Sequence, residues 1–207
     1  MSDASAATSI STDQNFQNMN LLKTLSSALL CLFLATSCTY YSGPQPMGAP
    51  DMDAFPREMQ GTYIADQSKL VITSNKIEYW ADKTKASMYS YVSDSLHVRS
   101  MAPWVIGTTR GRFASGGDNY SVFAIKLDEN NPNLLYGIQT DEDDIKKDFP
   151  NVRHSVEQHS VTTSNGVPEP PKDVTIFDPT PEEFRQIIEA AFAKKRNDAD
   201  YKGFERQ

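Results

Sequence analysis

Thiol chemistry in this chain is confined to two positions, Cys31 and Cys38. Cys31 lies inside an apolar run and Cys38 just beyond it, so a chain cut between them keeps one thiol and forms no internal disulfide. Other residues suited to chemistry are scattered. His154, Glu157 and His159 are of metal-ligating type, but the two histidines are five apart, which separates them on a strand and on a helix alike. Asp141-Glu142-Asp143-Asp144 is carboxylate-rich enough for calcium, yet it lacks the glycine and closing glutamate of a calcium loop. The lysines that follow make it the acidic start of a helix instead. Ser93-Asp94-Ser95 and Ser115-Gly116-Gly117-Asp118 lack the glycine spacing of a nucleophile elbow, have no histidine beside them, and read as turns. His97 stands alone in a strand-like run, and Arg110-Gly111-Arg112 is a basic turn too isolated to grip nucleic acid. These spacings assign no catalytic residue, no cofactor-binding residue and no metal ligand.

Elements around Cys38 give it a meaning. Leu29 to Ala35 are apolar, and the small residues Thr36 and Ser37 separate them from the cysteine. A short hydrophobic core that ends in small residues is a secretory signal. The wider stretch from Leu21 contains Lys23, Thr24, Ser26 and Ser27, whereas a bilayer-spanning helix needs ~20 mostly apolar residues. Residues 1–18 carry Asp3 and Asp13 and no Lys or Arg, the wrong sign for the start of a signal. Met19-Asn20-Leu21-Leu22-Lys23 is a conventional basic start, so residues 1–18 read as an upstream-start artefact or a disordered segment and 19–37 as the signal peptide. Ala35-Thr36-Ser37-Cys38 resembles the lipobox of bacterial lipoproteins. That resemblance implies a diacylated Cys38 held by acyl chains in a lipid bilayer. Thr39 stands where an aspartate favours inner-membrane retention, which implies the outer membrane, facing the periplasm.

Residues 38–54 are rich in Pro and Gly and show neither periodicity, so a flexible lipidated tether is expected, with Tyr40 and Tyr41 resting in the interface. Beyond it the expectation is one β-rich domain over 55–197 and a flexible tail over 198–207. The whole chain has 20 Lys+Arg against 27 Asp+Glu. Without residues 1–37 these fall by Lys23 and by Asp3 and Asp13, leaving a net charge of about −6. That balance argues against a nucleic-acid partner and against a basic membrane-binding face.

Short β-rich runs at 61–65, 70–73, 77–80, 88–92, 95–100, 104–108, 120–127 and 134–139 are separated by turn residues. They predict an antiparallel β-meander forming an open or closed small barrel, mainly β with α+β character. Alternation in 120–127 predicts a half-buried strand with one strongly apolar face. Helices are predicted at 141–149, after Thr140, and from Thr180. The latter has a capping box, a proline at its first position and an apolar stripe of Phe184, Ile187, Ile188, Ala191 and Phe192 that should cover one face of the sheet. Strands are also expected within 152–163 and 174–177, split by a loop at 165–171.

Tyr63, Tyr79, Trp80, Trp104, Phe123 and Tyr136 are spread over these strands, where they either fill a small core or line an apolar pocket. Phe55-Pro56 ahead of Gly61-Thr62-Tyr63 resembles the entry of lipocalin-like barrels, whose first strand opens with Gly-x-Trp. Tyr63 takes the place of the tryptophan, and no arginine is assigned to the packing role the family gives to one. The sequence thus leads to a membrane-anchored envelope lipoprotein with a non-enzymatic structural role or a protein partner in the envelope. A lipocalin-like carrier of a small apolar ligand is the alternative, and an uncharacterised hydrolase comes third.

Overall fold

Twelve strands, two helices and a 3₁₀ turn make up the computed structural model, which describes residues 39–80, 88–93, 96–112, 118–159, 172–198 and 201–207. Residues 19–37, expected as a signal, Cys38 itself, Asp94-Ser95, Ser115-Gly116-Gly117, expected as a turn, and 165–171, expected as a loop, lie outside the described residues. No helix among the described residues is long and apolar enough to cross a membrane.

The meander is present. Strands β2 (Gly61–Ala65), β3 (Ser68–Ile72), β4 (Lys76–Trp80) and β5 (Met88–Tyr91) pair antiparallel in succession. So do β6 (Leu96–Met101), β7 (Trp104–Arg112), β8 (Asp118–Leu127) and β9 (Leu134–Gln139). The sheet is not closed: among the described residues no ladder joins β5 to β6. It curls nonetheless, because Tyr63, Leu70, Ile72 and Tyr79 share one core with Leu96, Val98, Val105, Ile125 and Leu135.

Arg110-Gly111-Arg112 is not a turn. These residues complete β7 in register with Tyr120, Asn119 and Asp118, and Arg110 pairs with Asp118 at 2.6 Å. Nor is β8 half-buried. Its Val122 and Ala124 enter a second core under the C-terminal helix, while Ile125 enters the interior of the curl. A strand sandwiched between two cores is apolar on both faces, and simple alternation does not reveal that.

Helix α1 (Glu142–Asp148) is capped by Asp141, whose carboxylate accepts from the amides of Asp143 and Asp144. Helix α2 (Pro181–Arg196) has the capping box Thr180–Glu183. Its buried Phe184, Ile187, Ile188 and Phe192 pack on Tyr41, Trp104, Ile106 and Ile138. Full burial of each such side chain contributes about 1.5–3 kcal/mol, far more than the cap at about 1 kcal/mol. Packing therefore fixes where α2 lies, and the cap fixes where it begins.

Two strands fall in segments expected to be unstructured. β1 (Tyr40–Tyr41) inserts between β11 (Lys172–Phe177), to which it is parallel, and β8, to which it is antiparallel. Among the described residues the outer strand β10 (His154–His159) pairs with β11 alone. β12 (Phe204–Arg206) sits between β9 and β2 and joins the two halves of the meander. Residues 39–54 are thus not a tether and 201–207 are not a loose tail.

Candidate functional site

The N-terminal segment is fastened to the body at successive points. Thr39 is buried, and its hydroxyl donates to the Thr140 carbonyl at 2.9 Å. Thr140, which precedes the cap of α1 as expected, is a buried anchor: its Oγ1 lies 2.8 Å from the Tyr41 hydroxyl. Tyr41 is fully buried against Phe177 and Phe184, so it does not rest in a membrane interface. Burial pushes its phenol pKa well up, against the smaller opposing effect of the Thr140 hydrogen bond. The Ser42 amide donates to Phe177 O at 2.9 Å and the Ser42 hydroxyl to Asp178 at 2.8 Å. Further on, Gln45 is buried, and its amide donates to Thr108 Oγ1 at 3.1 Å.

A polar clasp holds the rest. Arg99 donates to the carbonyls of Pro44 and Pro46 at 2.8 and 2.9 Å and, through Nε, to Asp51 at 2.6 Å. His97 Nδ1 lies 2.8 Å from the other Asp51 oxygen. The histidine that stands alone in sequence therefore has a carboxylate partner in space. Burial tends to raise the Asp51 pKa, but hydrogen bonds from Arg99 and His97 outweigh it and leave the carboxyl below its usual range. This cluster binds peptide carbonyls of its own chain, so its visible work is to hold residues 44–51 on β6.

The six strand aromatics are not brought to one place. Tyr63 and Tyr79 are buried inside the curl, with Phe123 packed against the same core. Trp104 and Tyr136 lie on the opposite face of the sheet, edge-on to Phe192 of α2. Trp80 is half-buried beneath the Lys69 ammonium, 4.1 Å from its ring centre. An open cleft of about 360 Å³ lies between the β2–β3 turn and the C-terminus, lined by Ile64, Asp66, Lys202, Glu205 and Arg206 among others, and none of the six lines it.

Arg206 is the residue the sequence does not reveal. Its guanidinium sits 5.2 Å from the Tyr63 ring centre and donates to the Tyr63 hydroxyl at 2.6 Å and to the Glu58 carbonyl. A 3₁₀ turn (Arg57–Met59) precedes this strand, and Tyr63 O–H donates to Met59 O at 2.9 Å. An arginine thus packs across the Gly-x-Tyr ring that opens the first strand of the meander.

No family model, curated protein or solved structure matches this chain. The residues themselves carry the reading. Asp141, Glu142 and Asp144 are engaged in the cap, in bonds from Lys146 and Thr175, and in a bond from Lys194. His154 lies at the start of β10, with Nδ1 3.0 Å from the Val152 carbonyl and its ring tilted against Phe177. Among the described residues no group of three or more His, Cys, Asp or Glu side chains is gathered for a metal ion.

Proposed function

We propose that this chain is a lipid-anchored protein of the bacterial envelope, held at the periplasmic face of the outer membrane by acyl chains on Cys38. Its body is non-enzymatic and acts by contacting an envelope partner. One positional observation carries the anchoring: Ala35-Thr36-Ser37-Cys38 directly precedes Thr39, which is buried and bonded to Thr140. Each buried CH₂ contributes about 0.8 kcal/mol, and two or more chains make such an attachment stable. Mass spectrometry of the protein purified from its native host should find acyl chains on Cys38, and Cys38→Ala should move it to the soluble fraction. An unmodified sulfur overturns the anchoring.

The partner role draws support from the sheet edges. Val156 on β10 is 59 % exposed, and among the described residues β10 pairs with a neighbour on one side only. An outer strand carrying an exposed apolar residue offers backbone groups and side chains to an added strand. A photo-crosslinker at position 156 in intact envelopes should trap a discrete partner that one at Asn130 does not. Failure to trap any counts against the role.

A second reading, a lipocalin-like carrier of a small apolar ligand, is favoured by the packing of Arg206 across Tyr63 behind a 3₁₀ turn. The emission of an environment-sensitive apolar probe should rise in a saturable way as it enters the curl among Tyr63, Leu70 and Tyr79. Unchanged fluorescence rejects the carrier.

A further inference from the structure

One hydrogen bond fixes which backbone groups of β10 are turned outward. The Asp178 amide donates to the Arg153 carbonyl at 2.8 Å, and the same register pairs His154 with Phe177, Ser155 with Ile176 and Glu157 with Val174. Hydrogen-bonded and non-hydrogen-bonded pairs alternate along an antiparallel ladder. Ser155 and Glu157 therefore turn their N–H and C=O groups toward β11, while His154, Val156 and Gln158 turn theirs away from the sheet. Among the described residues no strand or bridge pairs with them on that side. Val156, at the middle of this edge, is 59 % exposed. Sheet edges are ordinarily blunted by lysine, proline or a bulge, and β10 has none of these over an unbroken register of six pairs.

We infer that β10 is a self-pairing edge, where a second copy of this chain adds its own β10 antiparallel across a twofold axis. This rests on the partner role proposed above and names the partner. Only outward-facing residues form the hydrogen-bonded pairs of the new ladder, so registers are limited to steps of two. In one of them Val156 meets its own counterpart at the axis, His154 meets Gln158 and Ser155 meets Glu157. All three outward residues then pair, valine lies against valine, a hydroxyl meets each carboxylate, and no like charges meet within 154–158. The outermost pair sets Arg153 opposite His159, but Arg153 is already held by Asp178. A step one way puts Glu157 opposite Glu157. A step the other way sets Gln158 opposite Val152, whose amide is already bonded to the Phe149 carbonyl. The chemistry of the strand thus selects a single register.

The test uses the full chain in intact cells of its native host. A benzophenone amino acid at position 156 should trap an adduct of twice the protein's own mass. An adduct of any other mass overturns the second copy but leaves a partner at β10, and no adduct overturns both. Register is read with Val156→Cys and Ser155→Cys. Residues opposite each other in a hydrogen-bonded pair have Cα atoms about 5.5 Å apart, within disulfide reach, whereas the two 155 positions are out of register by two residues. Mild oxidation should give at least about five-fold more disulfide dimer from Val156→Cys than from Ser155→Cys. The parent protein, with Cys31 and Cys38, sets the background. Equal yields overturn the paired arrangement. Val156→Lys places two ammonium groups together at the axis of an exposed edge. It should weaken dimerisation of the detergent-purified protein at least about ten-fold by sedimentation equilibrium, with an unchanged circular dichroism spectrum. An undiminished dimer overturns self-pairing through β10.

Discussion

Arg206 and Tyr63 are 143 residues apart, yet the guanidinium lies 5.2 Å from the ring centre and bonds its hydroxyl at 2.6 Å. This contact ties β12 to β2 beside a ladder of only two residue pairs, Glu205 with Ile64 and Arg206 with Tyr63. The two halves of the meander are therefore joined by a side-chain contact as well as by backbone hydrogen bonds.

Arg206→Ala should lower stability by about 1–2 kcal/mol, from lost cation–π attraction and from the unpaired Tyr63 hydroxyl. Tyr63→Phe keeps the ring but leaves the Met59 carbonyl and the guanidinium without that hydroxyl, at a cost of about 1 kcal/mol. Urea unfolding monitored by circular dichroism measures both. Unchanged midpoints show that β12 docks without this contact.

Tyr41 is the centrepiece of the N-terminal strap. Tyr41→Ala should cost about 3–5 kcal/mol as a large-to-small core change. Hydrogen exchange in β10 and β11 should accelerate more than in β2–β4, because among the described residues β1 alone connects those two strands to the rest of the sheet. Tyr41→Phe removes only the hydroxyl facing Thr140 and should cost about 1 kcal/mol. Uniform acceleration across all strands contradicts the keystone role.

Asp51 gives stability a pH dependence of definite sign. Its carboxyl pKa is lowered in the folded protein, so its contribution is fully present above the unfolded carboxylate value of about 3.9 and is lost as pH falls through the folded value. Asp51→Asn should destabilise the protein at pH 7, and the difference should shrink steadily as pH is lowered below about 3.9. The side chain is 47 % exposed, so solvent screens the effect and keeps it modest. A difference between the denaturation midpoints of the two proteins that stays constant as the pH falls refutes the assignment.

Gly107 has no room for a side chain. A Cβ built there falls 2.0 Å from Cζ of Phe123, its cross-strand partner. Gly107→Ala should cost about 1–3 kcal/mol through overpacking, and adding Phe123→Leu should recover part of it. Additive losses in the double variant show that the ring and the glycine are not in contact.

What the sequence determined by itself is local. The α2 start was legible because Thr180, Pro181 and Glu183 satisfy amides within one turn, and its buried face because Phe184, Ile187, Ile188 and Phe192 recur at helical spacing. Leu134–Gln139 and Gly61–Ala65 were legible to the residue because turn formers bound short β-rich runs.

Tertiary structure alone decided the rest. β1 and β12 have two and three residues, too few to show alternation, and they are strands only because distant segments offer them hydrogen bonds. The same holds for the contacts that matter most. His97 acquires Asp51, Tyr63 acquires Arg206 and Thr39 acquires Thr140 only once the sheet has curled. Hydrogen-bond partners far apart along the chain leave no periodic trace, whereas caps and amphipathic stripes are set within a few residues and are written in the sequence.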